Sequence, residues 1–309
     1  MPIGTGLVRQ RNNKIRNVPC VINLSKQSED TTTTTASLSE PSTRGTVLIT
    51  AIGSLSTVAL AAKGGLLGYY PDATILQDLG VAVLCGVLGF LYVKLITWLA
   101  SKDILKPRDS RKLIHTGSAP LYMVFWPLFS PNGRFFAACI PLINAARLYL
   151  AATGETNESE LANAVSRSGD VKEALGGPFL YVIIMIVSIL LFWTDNCSGI
   201  IAMCTMAAGD GMADIVGRRL GNNNKWFFAP NKSIAGSAAF WVSGTSVSLG
   251  VCMWLSTAGC LTLPVPMSEL AFQIAWITAI CALIELLPIG DDNWTVPVSA
   301  AVLSFIFLT

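Results

Sequence analysis

The 309-residue chain is 52% hydrophobic and 13% charged, with a mean hydropathy of +0.56, too apolar and too poor in charge to cover a soluble globule. Its formal charge of +2, with no basic block interleaved with exposed aromatics, excludes nucleic acid as a partner. One histidine and eight cysteines without a CxxC pair exclude a zinc centre built on several histidines and leave the thiols as small membrane hydrophobes, while a hard, oxygen-liganded cation such as magnesium stays open.

Residues 1–45 hold Arg9, Arg11, Lys14, Arg16, Lys26 and Arg44 against Glu29, Asp30 and Glu40, with a threonine run at 31–35. A segment rich in Arg and Ser, poor in acids and unable to bury a core reads as a plastid transit peptide or disordered N-terminus. Residues 46–62 read either as a first span or as part of a targeting element. From 46 to 309 the chain is expected to be an all-α, polytopic membrane domain, because a bilayer core about 30 Å thick takes roughly 20 apolar residues per helix. Eight or nine spans fit, at 46–62, 79–100, 113–129, 135–152, 178–193, 198–208, 237–255, 270–287 and 296–308. The span from 198 runs directly into an acidic motif and is expected to leave the bilayer while still helical. Lys94 and Trp98 read as an interfacial anchor.

If these spans alternate, the loops 101–112, 153–177, 209–236 and 288–295 all emerge on one face. The first has five bases (Lys102, Lys106, Arg108, Arg111, Lys112) against Asp103 and Asp109, as expected for the non-translocated side. In a plastid membrane that side is the stroma.

The third loop, GDGMADIVGRRLGNNNKWFFAPNKSIAG at 209–236, concentrates charge in an otherwise lipid-soluble sequence, and charge kept beside a membrane usually has a task. Asp210 and Asp214 share a helical face, with Arg218 a turn further along. Two acids followed by a base suit a metal ion and the phosphate it accompanies. Gly209, Gly211, Gly217 and Gly221 permit close backbone approach, and Lys232, Ser233 and Gly236 offer phosphate donors. A loop that only set topology would need the bases but not acids at helical spacing.

Four further groups are candidates. Arg111, Lys112 and His115 open the 113–129 span; the lone histidine is either a structural hydrogen-bonder or a proton carrier, and Lys112 either snorkels to the interface or binds phosphate. Arg147, with Asn144 near it in PLINAARL, is costly in lipid and should face a cavity, a phosphate or an acid such as Asp210. Glu285, Asp291, Asp292 and Asn293 either cap a helix end or complete a metal site and accept a proton. Ser166, Arg167, Gly169, Asp170 and Lys172 form a remaining polar motif, read as a lid or secondary phosphate contact.

The order Asp210, Ala213, Gly217, Gly221 in this loop resembles the nucleotide motif of the polyprenol kinase family, which includes phytol, farnesol and dolichol kinases. The resemblance extends to RKLIHTGSAPLYMVFWPLFS at 111–130, PLINAARL at 141–148, VSRSGDVKEALGGPFLYV at 165–182 and ELLPIGDDNWTVP at 285–297. It covers roughly residues 75–309 and is nearest to the plant phytol and farnesol kinases. It implies a chloroplast membrane enzyme that phosphorylates a prenyl alcohol, phytol first and farnesol or geranylgeraniol second, with CTP as donor, UTP as an alternative, and Mg2+.

On that basis Asp210 and Asp214 are expected to hold the metal, with Glu285 and Asp291 as additional ligand candidates. Arg218, Arg219 and Lys232, with Gly209, Gly211, Gly217, Gly221, Ser233, Gly236, Arg111, Lys112 and Arg147, are expected around the nucleotide phosphates. His115 and Asp292 join Asp210 and Asp214 as catalytic candidates. No GxxxxGK[ST] sequence occurs in the loop, so a P-loop kinase is excluded. A membrane cytidylyltransferase, which would release pyrophosphate, and a transporter, which would consume no nucleotide, are the alternatives from other classes.

Overall fold

The computed structural model describes residues 43–65, 71–153, 175–288 and 291–308, with side chains from residue 51. The basic segment up to residue 42 and the polar motif at 166–172 lie outside them. The described residues form nine helices: α1 (Thr43–Lys63), α2 (Asp72–Ser101), α3 (Pro107–Val124), α4 (Arg134–Thr153), α5 (Gly177–Leu191), α6 (Ser198–Leu220), α7 (Ile234–Thr257), α8 (Met267–Ile284) and α9 (Asp292–Leu308). A 3-10 turn at Trp126–Leu128 follows α3. The all-α polytopic expectation holds. Helices α2, α4, α6, α7 and α8 are long and apolar enough to cross a bilayer, and α5, α9 and the Ala51–Lys63 part of α1 are shorter apolar stretches.

The bundle turns large apolar side chains outward. Leu91, Leu95 and Trp98 on α2, Trp241 and Val242 on α7, Phe272 and Trp276 on α8, and Phe305 and Ile306 on α9 are all exposed, which is stable only where the solvent is lipid. Inside, small and polar residues let helices approach: Gly244 of α7 meets Thr278 of α8, whose hydroxyl lies 2.7 Å from that of Thr245. The thiols of Cys85, Cys139, Cys197, Cys204, Cys252 and Cys281 are buried and fill space as small hydrophobes.

Helix α6 is central: 78% of its most apolar window is buried, against 22% for α2. It runs without a break from the 198–208 span through the acidic motif to Leu220, as the sequence suggested, but through a π-helical turn at Thr205–Gly209. Carbonyls in that turn receive side-chain donors from flanking helices, Ala208 from Ser243 Oγ (2.9 Å) and Met206 from His115 Nε2 (3.2 Å). A π-turn adds a residue to the ladder and needs such partners.

Helix α3 differs most from its expected 113–129 span. It begins earlier, with Pro107 at its start, and ends at Val124, where Trp254 Nε1 donates to the Val124 carbonyl. It is amphipathic, and its polar residues Asp109, Lys112 and Thr116, at helical spacing, pack against α6. The three residues would be costly against lipid, which sets the rotation of the helix.

Lys94 is exposed on α2, its Nζ 5.7 Å from the Phe90 ring centroid. Such a surface cation–π contact contributes under about 1 kcal/mol. Lys94→Ala is expected to shift the melting temperature by no more than a few degrees and to leave the catalytic rate within about twofold of the parent, checked on membranes with matched expression.

Candidate active site

Three of the four loops expected on one face meet, and of the fourth, at 153–177, the described end at Gly177 reaches them. Lys112 Nζ of α3 contacts Asp210 Oδ2 of α6 at 2.8 Å, and Arg219 Nη2 reaches Asp109 Oδ2 at 2.9 Å. Lys232 Nζ, in the α6–α7 loop, reaches Glu285 Oε1 at 2.7 Å and Asp292 Oδ2 at 2.6 Å, on either side of the α8–α9 connection. Gly177, opening α5, packs on the Asn293 side chain. The opposite end has its own latch, Asp78 accepting from Ser130 N and Oγ at 2.6 Å, and a half-exposed pair, Arg134 with Asp195 at 2.8 Å.

On the α6 stripe, Asp210 accepts from both Lys112 and His115, the latter at 3.2 Å. Asp214 and Asp109 grip Arg218 from two sides, at 3.0 and 2.7 Å, and Arg108 reaches Asp214 at 3.4 Å from the exterior. The cluster is self-neutralised: Arg108, Lys112, Arg218, Arg219 and Lys232 face Asp109, Asp210, Asp214, Glu285 and Asp292. Lys112 is buried and turned inward rather than snorkelling.

The local charges set protonation. The hydrogen bond from Arg219, supported by Arg218 and opposed by burial, holds the Asp109 carboxyl below the usual range. Burial pushes the Lys232 ammonium down, but Glu285 and Asp292 outweigh it and raise its pKa. Burial raises Glu285, which Lys232 pulls back only in part, and the charges of Asp210 and Asp292 raise it further. Asp210 therefore influences Glu285 electrostatically, which links the α6 stripe to the Lys232 group.

The glycines have distinct tasks. A Cβ on Gly211 would run into the Thr116 side chain, its Cβ 2.9 Å away, so this glycine sets how closely α6 approaches α3. Gly217, Gly221 and Gly236 pack around Ser233, whose Oγ caps α7 by accepting from Gly236 N at 3.1 Å. A Cβ on Gly209 would come within 3.1 Å of the Phe240 ring. Gly211→Ala is expected to cost about 1–3 kcal/mol by overpacking, read as a lower melting temperature in detergent, whereas Gly250→Ala, open within 4 Å, should leave it unchanged.

Arg147 is half-buried on α4, which packs mainly on α5, α1 and α2. Arg111 is half-buried on α3. Asp291 accepts from Asn293 N (2.9 Å) and Nδ2 (2.6 Å), the geometry of a cap at the start of α9.

Two contributors were missed. Asp109, counted only as loop charge, proves to be a buried anchor for both arginines; its position three residues before Lys112 was the available signal. Tyr181 of α5 lies across the His115 turn: its hydroxyl donates to the His115 carbonyl (3.0 Å), accepts from Ala119 N (3.2 Å) and lies 2.9 Å from Ser118 Oγ, with its ring 4.4 Å from the imidazole.

Among the described residues no group of three or more acid, His or Cys side chains gathers at metal-ligand spacing. Magnesium needs only one or two carboxylates when phosphate oxygens and water complete its shell, so the acids of α6 fit a metal that arrives with a nucleotide.

Acids and bases gathered at one end of a lipid-exposed helical bundle define a polytopic membrane protein with a charged site where lipid gives way to water. The chain is 38% identical over 238 residues to the probable phytol kinase 1, chloroplastic, of Glycine max, covering 75% of this chain and 77% of that one. It is 33% identical over 263 residues to the probable phytol kinase, chloroplastic, of Zea mays (84% of each chain), and 35% identical over 243 residues to the phytol kinase 1, chloroplastic, of Arabidopsis thaliana (75% and 78%). No protein-family model matches the chain, and no solved structure does. The chain belongs to the phytol kinase family and is a kinase.

Proposed function

We propose that the protein transfers the γ-phosphoryl group of CTP to the hydroxyl of phytol, giving phytyl monophosphate and CDP, in a chloroplast membrane with the site on the stromal side. Residues 1–45 act as the transit peptide, and the product enters phytol salvage toward tocopherol. The observation that carries the reading is the self-neutralised cluster on α3, α6 and the α6–α7 loop, placed where lipid-facing helices end. A lipid alcohol and a water-soluble nucleotide meet only at such a boundary.

The site binds by exchanging ion pairs. Triphosphate oxygens compete for Arg218, Arg219 and Lys232, which now rest on Asp109, Asp214, Glu285 and Asp292; that exchange releases Asp214, which together with Asp210, now paired with Lys112 and His115, would hold the Mg2+ that accompanies the nucleotide. When bound, the ion neutralises phosphate charge and keeps the donor aligned.

During transfer the oxygen of phytol forms a bond to the γ-phosphorus, the β–γ bridging oxygen departs with CDP, and the hydroxyl proton leaves to a base. His115 is suited to receive it. Its Nε2 lies between two acceptors, the Asp210 carboxylate and the Met206 carbonyl, so in the neutral ring Nε2 carries the hydrogen and the lone pair is on Nδ1. Asp292, partly exposed beside Lys232, is the second candidate base.

The test is a transfer assay on membranes carrying the protein, offering CTP, UTP, ATP or GTP with phytol, geranylgeraniol or farnesol, and identifying both products. Phytyl monophosphate and CDP from the phytol and CTP pair are expected. A preference for farnesol or for UTP would replace the named substrate or donor, and pyrophosphate release would replace kinase chemistry with cytidylyl transfer.

A further inference from the structure

The α6–α7 loop is polar in composition, with four asparagines and two lysines between 221 and 233, yet it holds three consecutive aromatics, Trp226, Phe227 and Phe228. It folds as a hairpin closed by a backbone bridge between Lys225 and Ser233 and by Trp226 N donating to the Lys232 carbonyl at 3.3 Å. Trp226 is tied down by Nε1 donating to Ser237 Oγ at 3.1 Å. Phe228 lies 5.5 Å from the Trp226 ring, and Phe227 stands edge-on to Phe228 at 4.9 Å. Phe227 is nonetheless 93% exposed and Phe228 52%. An aromatic stack already ordered, with its outer ring bare, suits a low-entropy contact with an apolar medium.

The neighbouring surface says which medium. Leu220, ending α6, and Ile234, opening α7, flank the hairpin and are exposed. Ile234 shares a helical face with Trp241, seven residues on, which with Val242 belongs to the lipid-facing exterior. The bare aromatics are thus continuous with the bilayer-covered surface, at its polar end. Exposed Lys225 beside them supplies the cation found next to aromatics at headgroup level.

We infer that the tip Trp226, Phe227 and Phe228 docks into the headgroup–acyl boundary of the bilayer that holds the helices. The hairpin's other arm carries Lys232, paired with Glu285 and Asp292, so docking fixes the depth of the phosphate-binding arm against the surface where a lipid-dissolved alcohol arrives.

The full-length protein in phosphatidylcholine–phosphatidylglycerol vesicles, carrying the photo-crosslinker benzoylphenylalanine at position 227 or at exposed, polar position 223, provides the test. Lipid adducts are expected at 227 well in excess of 223. Equal labelling at the two positions, or an adduct to added CTP at 227, overturns the inference. This readout needs no turnover, so it stands apart from the identity of the reaction. A second measurement uses the double variant Phe227→Asp/Phe228→Asp, whose apparent KM for the prenyl alcohol in vesicles is expected to rise about fivefold while that for CTP stays constant. A rise confined to CTP would assign the rings to a nucleobase, and no change in either KM would leave the tip without a function; both results overturn the docking.

Discussion

Asp210→Asn is expected to lower phosphoryl transfer by about a thousandfold, the scale of losing a preorganised charge at a reacting phosphate. Asn keeps the shape of the side chain, so the packing of α3 on α6 survives, but it loses the charge that Lys112 and His115 now share and that the nucleotide's cation needs. The substitution also strands Lys112, whose side chain is only 11% exposed, so some stability is lost with the activity. Adding Lys112→Met should return the melting temperature and not the rate. The measurement is the rate at saturating CTP beside the melting temperature of each variant. Activity within about tenfold of the parent in Asp210→Asn would remove this carboxylate from the catalytic set.

Lys232→Ala is expected to abolish transfer and to cost about 3 kcal/mol of stability, because it leaves Glu285 charged and buried without its partner. The two losses separate. Lys232→Ala/Glu285→Gln removes both charges and should regain most of the stability while staying inactive. The pH dependence has a definite sign. Glu285 has its pKa raised by burial, with Lys232 opposing, so removing Lys232 raises it further. A carboxyl raised in the folded state adds no penalty below its unfolded value of 4.5 and a growing one as pH climbs from there through the folded value. The stability deficit of Lys232→Ala should therefore be largest at neutral pH and shrink on acidification toward pH 4.5, followed by thermal inactivation across pH. A deficit constant with pH would mean that Glu285 is not the stranded group.

Period and composition settle much of this molecule. The apolar runs set the helices to within a few residues for α4, α7 and α8, because no structure but a helix satisfies its own backbone in lipid. Charged loops at alternate span ends predicted one polar face, and the ion pairs joining Lys112, Asp210, Lys232, Glu285 and Asp292 lie there. Helical spacing alone aligned Asp210, Asp214 and Arg218, since all three follow the π-turn and keep an undisturbed register.

The fold decided what depends on rotation and depth. Nothing in RKLIH says whether Lys112 points to solvent or inward; the packing of α3 on α6, as close as Gly211 and Thr116 allow, turns it onto Asp210. Asp109 became an anchor for two arginines only when α3 and α6 met. The hydroxyl of Tyr181 reaches the His115 turn from 66 residues away in sequence, a pairing that no local pattern carries. The sequence by itself determined the class of the protein, its helices and the face on which its charges lie, because these follow from what lipid and water each exclude. Which acid holds which base was decided by the tertiary structure, because an ion pair depends on distances of a few ångströms between helices that the chain joins only through long loops.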